Sequence, residues 1–340
     1  MGHAGPVTAA TRPTGADDTL PMPDVPRMRA ERLARLRAQL VEQENDAAVQ
    51  LHGPHVTYAT GYIPDAVDAS HANFRRPVAI VPAEGPVRLH AHGAPADLEC
   101  EVGPALWPEL DDDAEALRTS VLEVIGDMAG RRIAIDSLTG AMSRGGVLAG
   151  AEFADASRVL GPARLCKTVD EVACIERSQR LNELAMAEAQ KACRPGVRRS
   201  EVAGVFLDAL RRRRSAHNEI DPIFQVMARR RDEGVLSDLG AVAFPTGIED
   251  PVFAEGDLVW VDSGHAYEGY ASDYGRTWIV GREPNAEEQD CFRQWSEIMT
   301  AAIDAIRPGA TLGDVSRAAT EAHGGERPWL PHFYLAHAVG

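Results

Sequence analysis

The stretch GDLVWVDSGHAYEGYASDYGRTWIVG, residues 256–281, is the most informative part of this sequence. Its two halves are rich in Val, Ile, Tyr and Trp and are separated by glycines, which predicts a β-hairpin. A hairpin symmetric about residues 267–268 places Asp262 directly opposite Asp273. Facing carboxylates repel each other, and partial burial increases the energetic penalty. A divalent cation between the two acids would remove this conflict, whereas two solvent-facing acids are the simpler alternative.

The residues around the second acid leave space for ligands. Period-two alternation places Asp273 on one face with Ala271, Gly275 and Thr277, all small residues. A third candidate ligand is His337, in HFYLAHAVG, where apolar and small neighbours predict a packed environment. Neutral histidine is the commonest metal ligand. A hydrogen-bonded core histidine is the alternative interpretation.

Composition and periodicity divide the chain into three regions. Residues 1–25 are rich in Pro, Gly, Thr, Ala and Asp without an apolar period, which predicts a flexible tail. Strand-like and helical runs alternate in residues 26–161, which predicts an α/β domain. The strand-like runs there are 47–51, 56–62, 77–81, 87–90 and 132–136. Residues 162–340 form the second predicted domain.

A predicted linker at 161–166 precedes a clear helix start in the second domain. Thr168 and Glu171 have the spacing of a capping box, in which each side chain accepts a hydrogen bond from the other residue's backbone amide. The helix is expected to run to Cys193, because the Arg-Pro-Gly sequence at 194–196 ends it.

Charge and composition exclude several classes of protein. The 340 residues include 51 acidic and 35 basic side chains, a net charge of −16, which argues against a nucleic-acid partner. No apolar run approaches the ~20 residues that span a bilayer, and the N-terminus lacks the apolar core of a secretory signal. We therefore expect a soluble, cytoplasmic protein with no membrane partner. The five cysteines are scattered and include no CxxC pair, so neither a disulfide framework nor a thiolate zinc site is indicated.

Several ordered motifs resemble one family. GDLVWVDSG, an aspartate eleven residues after the first within SDYGRT, and the later HAVG are similar to motifs of the creatinase/prolidase/aminopeptidase P family. The resemblance extends over LHGPHVTYATGY (51–62), RLCKTVDEVACIERSQRLNELA (164–185) and RPGATLGDVSRAA (307–319). It implies an α/β creatinase-like N-terminal domain followed by an α+β catalytic domain of the pita-bread fold.

The resemblance also implies a site with two divalent metal ions held by two Asp, one His and two Glu. Carried over by motif, the carboxylate ligands would be Asp262 and Asp273, and the imidazole ligand would be His337. The family's two glutamates follow the HxxG motif, so we expect them, with the rest of that domain, beyond Gly340. Oxygen ligands with one nitrogen suit Mn²⁺, Fe²⁺, Co²⁺ or Zn²⁺, and the resemblance favours Mn²⁺. It implies a homodimer as well.

The sequence departs from the peptidase members at two positions. Those members place one histidine about seventeen positions before the first metal Asp and another four positions before the metal His, where they stabilise the tetrahedral centre. Pro245 and Phe333 occupy these positions here and cannot donate a side-chain hydrogen bond. His332 is a candidate catalytic replacement only if a strand bulge turns it to the same face.

A second type of member is similar in its N-terminal domain. Lyases of this fold that act on dimethylsulfoniopropionate resemble this chain in TYATGY followed by HANFRR. His71 and Arg75 are therefore candidates for binding a substrate carboxylate, with an ordinary surface loop as the alternative. The lyases carry an extra acid two residues after the first metal Asp, where this chain has Gly264.

Three functions remain open at this point. The first is a metal-dependent hydrolase that resembles Xaa-Pro aminopeptidases and dipeptidases and acts on a small peptide. The second is a non-peptidase metalloenzyme, a lyase or a hydrolase, that acts on a small carboxylate or zwitterion. The third is a binding protein that keeps the fold without catalysis. Retention of both aspartates and the histidine argues against the third.

Overall fold

The computed structural model describes residues 20–64, 76–213, 217–229, 250–329 and 334–339. Within these ranges the backbone divides into two compact units. The N-terminal unit contains residues 20–174 together with 268–270, and the C-terminal unit contains residues 175–267 and 271–339.

The N-terminal unit is built on one mixed sheet. Its helices are α1 (Val25–Glu42), α2 (Gly53–Thr60), α3 (Asp111–Ile125), α4 (Gly140–Arg144) and α5 (Ser157–Leu165). Its strands are β1 (Ala47–Gln50), β2 (Val78–Pro82), β3 (Arg88–His90), β4 (Glu101–Gly103), β5 (Arg132–Ile135) and β6 (Glu152–Asp155). The strand order is β4-β3-β2-β1-β5-β6, and β1 is antiparallel to β2 but parallel to β5.

Both faces of this sheet are covered. Ala48 packs into one apolar cluster with Leu36 of α1 and Val56 of α2, whereas its neighbour Val49 packs into a second cluster with Leu117 of α3. A sheet buried on both sides requires continuous apolar strands rather than alternating ones. The sequence VAIVP of β2, buried at every position, has this character.

A buried carboxylate joins the carboxyl ends of β1 and β5. Asp136 Oδ1 accepts a hydrogen bond from the amide of Leu51 (2.9 Å), and Oδ2 accepts one from the amide of His52 (3.1 Å). The Nδ1 atom of His55 lies 2.8 Å from the same Oδ2. Burial raises the pKa of Asp136, but the hydrogen bonds from His55 and the two amides outweigh it, and the net pKa is lowered. The ionised carboxylate therefore stabilises this part of the fold.

The remainder of the described chain contains four helices and a second sheet. The helices are α6 (Val169–Ala192), α7 (Arg199–Arg212), α8 (Ala286–Asp304) and α9 (Leu312–Ala322). The strands are β7 (His217–Val226), β8 (Leu258–Tyr267), β9 (Tyr270–Ala271) and β10 (Tyr274–Ile279). Their order is β10-β8-β7, with β9 paired to β8. Phe206 of α7 and Phe224 of β7 lie in the core between helices and sheet, and both are fully buried.

The predicted start of α6 is confirmed. The amide of Thr168 donates to Glu171 Oε2 (2.6 Å), and the amide of Glu171 donates to Thr168 Oγ1 (3.2 Å). The two residues thereby satisfy each other's amides, as a capping box does.

Two local predictions are wrong. The run 56–62, predicted as a strand, lies largely in α2, because a proline in the first turn favours helix initiation and Gly61 ends the helix with φ of 76°. The run 161–166, predicted as a linker, lies largely in α5, which contains Pro162. Helix packing has overridden the local propensity of both segments.

Candidate metal site

The turn of the hairpin sets its register. Glu268 and Gly269 both have positive φ (51° and 81°), as in a two-residue type I′ turn. Asp262 consequently pairs with Gly275, and Ser263 pairs with Tyr274. The prediction that Asp262 lies directly opposite Asp273 is therefore wrong by two residues, because the turn lies one residue further along the chain than expected.

The two acids are diagonal neighbours instead of a facing pair. Asp273 precedes Gly275 by two residues, and a diagonal of this kind leaves Cα atoms about 7–8 Å apart in a regular ladder. The ladder is interrupted here, because β9 ends at Ala271 and β10 begins at Tyr274. This gap frees Asp273 from strand pairing.

The predicted histidine lies beside the second acid. His337 Nε2 is 2.8 Å from Asp273 Oδ2, and the two side chains are 48% and 42% exposed. The packed environment predicted for His337 is thus wrong. The other ring nitrogen, Nδ1, is 3.0 Å from the carbonyl oxygen of Ala338. Because a carbonyl only accepts hydrogen bonds, this contact places a proton on Nδ1.

The electrostatics of Asp262 reflect both neighbours. Burial raises the pKa of Asp262, and the charge of Asp273 raises it further. A hydrogen bond from the Ser263 amide and the charge of His337 lower it, but the net pKa remains raised. Asp262, Asp273 and His337 therefore interact as one group, in which the ionised form of Asp262 is disfavoured.

The donor chemistry of this group fits a divalent cation. Two carboxylates and one imidazole are the ligand types that Mn²⁺, Fe²⁺, Co²⁺ and Zn²⁺ share. A cation would relieve the repulsion that raises the pKa of Asp262. In the part of the chain that the structure describes, however, no set of three metal-ligating side chains is arranged closely enough to hold an ion.

A buried polar network lies behind the hairpin. The Asn182 side chain on α6 donates from Nδ2 to the Ser263 carbonyl (3.1 Å) and to Ser272 Oγ (3.0 Å). Its Oδ1 accepts from Ser263 Oγ (2.8 Å). One turn earlier, Ser178 Oγ donates to the carbonyl of His265. Sequence reasoning missed this network, although two polar residues four apart in an apolar helix face were a usable signal.

The other predicted site residues lie outside the described residues. They are the candidate substrate-binding residues His71 and Arg75, the candidate catalytic His332, and the departures Pro245 and Phe333. Their roles stay predictions.

Family models match most of the chain. Residues 173–340 match the model described as Metallopeptidase family M24, and residues 32–166 match the Creatinase/Prolidase N-terminal domain. Among curated relatives, the Xaa-Pro dipeptidase of Pyrococcus furiosus is 28% identical over 171 residues, which are 50% of this chain and 45% of that protein. The Xaa-Pro aminopeptidase of Escherichia coli is 24% identical over 174 residues, which are 51% of this chain and 37% of that protein. The sequence matches thus span less than half of the length of these two relatives.

A solved structure shares the fold. The prolidase from Pyrococcus furiosus superposes with a TM-score of 0.66 at 22% identity, and the match covers 89% of this chain and 82% of that one. Among the helices that the structure describes, none combines the length and hydrophobicity that a membrane crossing requires.

Proposed function

Because this chain belongs to the creatinase/prolidase/aminopeptidase P family, with a creatinase-type N-terminal domain followed by an M24 domain of the pita-bread fold, we propose that it is a metal-dependent hydrolase of small peptides. The substrate class we propose is a peptide with proline after the scissile bond. The two curated relatives described above carry the names Xaa-Pro dipeptidase and Xaa-Pro aminopeptidase.

One observation carries the proposal. His337 Nε2 and Asp273 Oδ2 lie 2.8 Å apart, although the two residues are far apart in sequence. Nδ1 is hydrogen-bonded to the Ala338 carbonyl, so Nε2 is the ring nitrogen that faces the carboxylate of Asp273. In our proposal a divalent ion binds between this nitrogen and the carboxylate.

The chain's own residues have distinct parts in this proposal. Asp262, Asp273 and His337 would hold the metal, for which we favour Mn²⁺. A pair of such ions supplies an activated water and polarises a substrate oxygen. The Ala338 carbonyl fixes the imidazole tautomer that leaves Nε2 available as a ligand. Burial and the charge of Asp273 raise the pKa of Asp262, so a bound cation would stabilise the ionised form of Asp262.

A second candidate is a non-peptidase metalloenzyme with a small carboxylate or zwitterion as substrate. The observation in its favour is that Pro245 and Phe333 occupy the positions where peptidases of the family carry histidines. A lyase acting on dimethylsulfoniopropionate is the specific form that the sequence favours. The homodimer is a further proposal from the resemblance, and the cytoplasmic location stays a prediction from the sequence.

The test is a metal analysis followed by two assays. The purified protein is stripped with a chelator, titrated with Mn²⁺, and assayed first with an Xaa-Pro dipeptide and then with dimethylsulfoniopropionate. We expect Mn²⁺-dependent release of proline. Acrylate release without proline release would support the lyase instead, and a protein that binds no divalent metal would contradict both enzymatic proposals.

A further inference from the structure

Asn182, in α6, has a buried amide side chain that contacts the hairpin. It is completely buried and makes three hydrogen bonds, two to Ser263 and one to Ser272. Both serines are also buried, at 1% and 5% exposure. Because every hydrogen bond of this amide is made away from water, each one restrains the geometry strongly.

The two serines are neighbours of the two candidate ligands. Ser263 follows Asp262, and Ser272 precedes Asp273. Successive side chains in extended backbone point to opposite faces. The Asn182 amide therefore contacts the hairpin on the face opposite the two acids, at the residues next to them.

The hairpin ladder is irregular at this place. Residues 272 and 273 lie in the gap between β9 and β10. The Ser272 amide donates to the His265 carbonyl (2.7 Å), but the amide of His265 donates to the hydroxyl of Ser272 (3.0 Å) where a regular ladder would use a carbonyl. That hydroxyl also receives the hydrogen bond from Asn182 (3.0 Å). Side chains therefore replace part of the ladder before Asp273, and Asn182 links this segment to Ser263, the residue beside Asp262.

We propose that Asn182 is a positioning residue that sets the separation of the Asp262 and Asp273 carboxylates and thereby the affinity for a divalent cation. This inference rests on the proposed function, because it concerns the same metal site. An amide is suited to the task, since its oxygen accepts from Ser263 while its nitrogen donates to both segments. Groups that hydrogen-bond to metal ligands typically contribute 10–100-fold to metal affinity, and we expect an effect of this order for Asn182, which bonds the residues next to the candidate ligands.

The experiment compares two buried residues of the same helix. Asn182→Ala removes the link between the two acid-bearing segments. Ser178→Ala is the matched control, because Ser178 is also completely buried and also bonds the hairpin, but at the His265 carbonyl rather than beside an acid. The readouts are the Kd for Mn²⁺, measured by calorimetry on the metal-free protein, and the thermal midpoint without metal.

We expect both variants to lower the thermal midpoint, because each loses buried hydrogen bonds. Only Asn182→Ala should raise the Kd for Mn²⁺, by about 10–100-fold. If Asn182→Ala does not fold, Ser272→Ala removes the contact of Asn182 with the Asp273 segment, together with the hydroxyl contacts to His265, and should raise the Kd in the same direction.

Three results would overturn the inference. Wild-type affinity in folded Asn182→Ala, or in Ser272→Ala where Asn182→Ala does not fold, would refute the positioning role and leave the metal site intact. An equal loss of affinity in Ser178→Ala would show that general stability alone is involved. A wild-type protein that binds no Mn²⁺ would overturn the proposed function together with the inference.

Discussion

Two carboxylates, Asp136 directly after β5 in one unit and Asp262 within β8 in the other, have opposite electrostatic environments. Asp136 is 5% exposed and lies among hydrogen-bond donors, two backbone amides and the ring of His55. Asp262 is half-buried and has another carboxylate, Asp273, as its charged neighbour. The pKa of the first is lowered and the pKa of the second is raised. The ionised form of the first acid therefore stabilises the fold, whereas the ionised form of the second is disfavoured, and the proposed cation would relieve this penalty.

The contrast between the two acids indicates which one is a candidate for function. A buried acid whose hydrogen bonds are complete has a structural explanation and needs no ligand. An acid whose pKa is raised by burial and by a second carboxylate lacks such an explanation. Perturbed pKa values of this kind cluster at functional sites. Each prediction below tests one side of this contrast.

The largest expected effect is on activity. Asp273→Ala should abolish metal-dependent turnover, because it removes both a proposed ligand and the partner of His337. The measurement is Mn²⁺-dependent hydrolysis of an Xaa-Pro dipeptide. Asp290→Ala is the control, since Asp290 is an exposed acid of α8 that forms an ion pair with Arg293. Wild-type turnover in Asp273→Ala would contradict the assignment of Asp273 as a metal ligand.

The next effect is on stability. Asp136→Ala should lower the free energy of unfolding by about 1–3 kcal/mol, because it leaves the amides of Leu51 and His52 without their acceptor. Urea unfolding measures this change. Asp127→Ala removes an exposed carboxylate that caps the amide of Ala129, and it should change stability by no more than about 0.5 kcal/mol. The Mn²⁺ affinity should stay unchanged in both variants, and a loss in Asp136→Ala would mean that this acid serves the metal site.

The pH dependence of Asp136 follows from its lowered pKa. Its stabilising contribution is fully present above the unfolded-state pKa of about 3.9 and is lost as the pH falls through the lower folded-state pKa. The difference in unfolding free energy between wild type and Asp136→Ala should therefore shrink below about pH 4. Urea titrations at a series of pH values test this. A difference that grows on acidification would contradict the assigned sign.

The smallest expected effect is a gain in stability, whereas Asp136→Ala loses stability. In the metal-free protein at pH 7, Asp262→Asn should increase stability by about 0.2–1 kcal/mol, the range for cross-strand charge pairs, because it relieves repulsion from Asp273. Since the folded-state pKa of Asp262 is raised, this gain should fade as acid protonates the wild-type side chain. Saturating Mn²⁺ should reverse the order of stability. Thermal midpoints with chelator and with Mn²⁺ measure both states, and an unchanged order would indicate that no cation binds between the acids.

The parts of the molecule that sequence reasoning predicted correctly depend on local chemistry or on ordered motifs. Thr168 and Glu171 needed only their spacing to predict a capping box, and several motifs in order were enough to predict the family and the fold class, both of which are confirmed. The hairpin was predicted, but its register was not. That register depends on Glu268 adopting φ of 51°, a conformation that non-glycine residues rarely take.

The errors also have non-local causes, besides the local helix signals of Pro54 and Gly61. Residues of α2 such as Val56 and Tyr58 have strand propensity, yet they pack as a helix against the sheet, where the Tyr58 hydroxyl donates to the Ala163 carbonyl (2.7 Å). The position of Asn182 behind the hairpin arises from the packing of α6 against strands that lie some eighty residues later in the chain. No pattern within a short window of sequence specifies such a contact.

The two-residue turn at Glu268 and Gly269 also restricts how the gene can change. An added codon there must either enlarge the loop or slip β10 by one residue against β8. Because neighbouring side chains alternate in direction, a slip would rotate Asp273 away from His337. Natural variation in length should therefore be rare in this turn, and where it occurs it should be confined to changes that keep the pairing of Asp262 with Gly275.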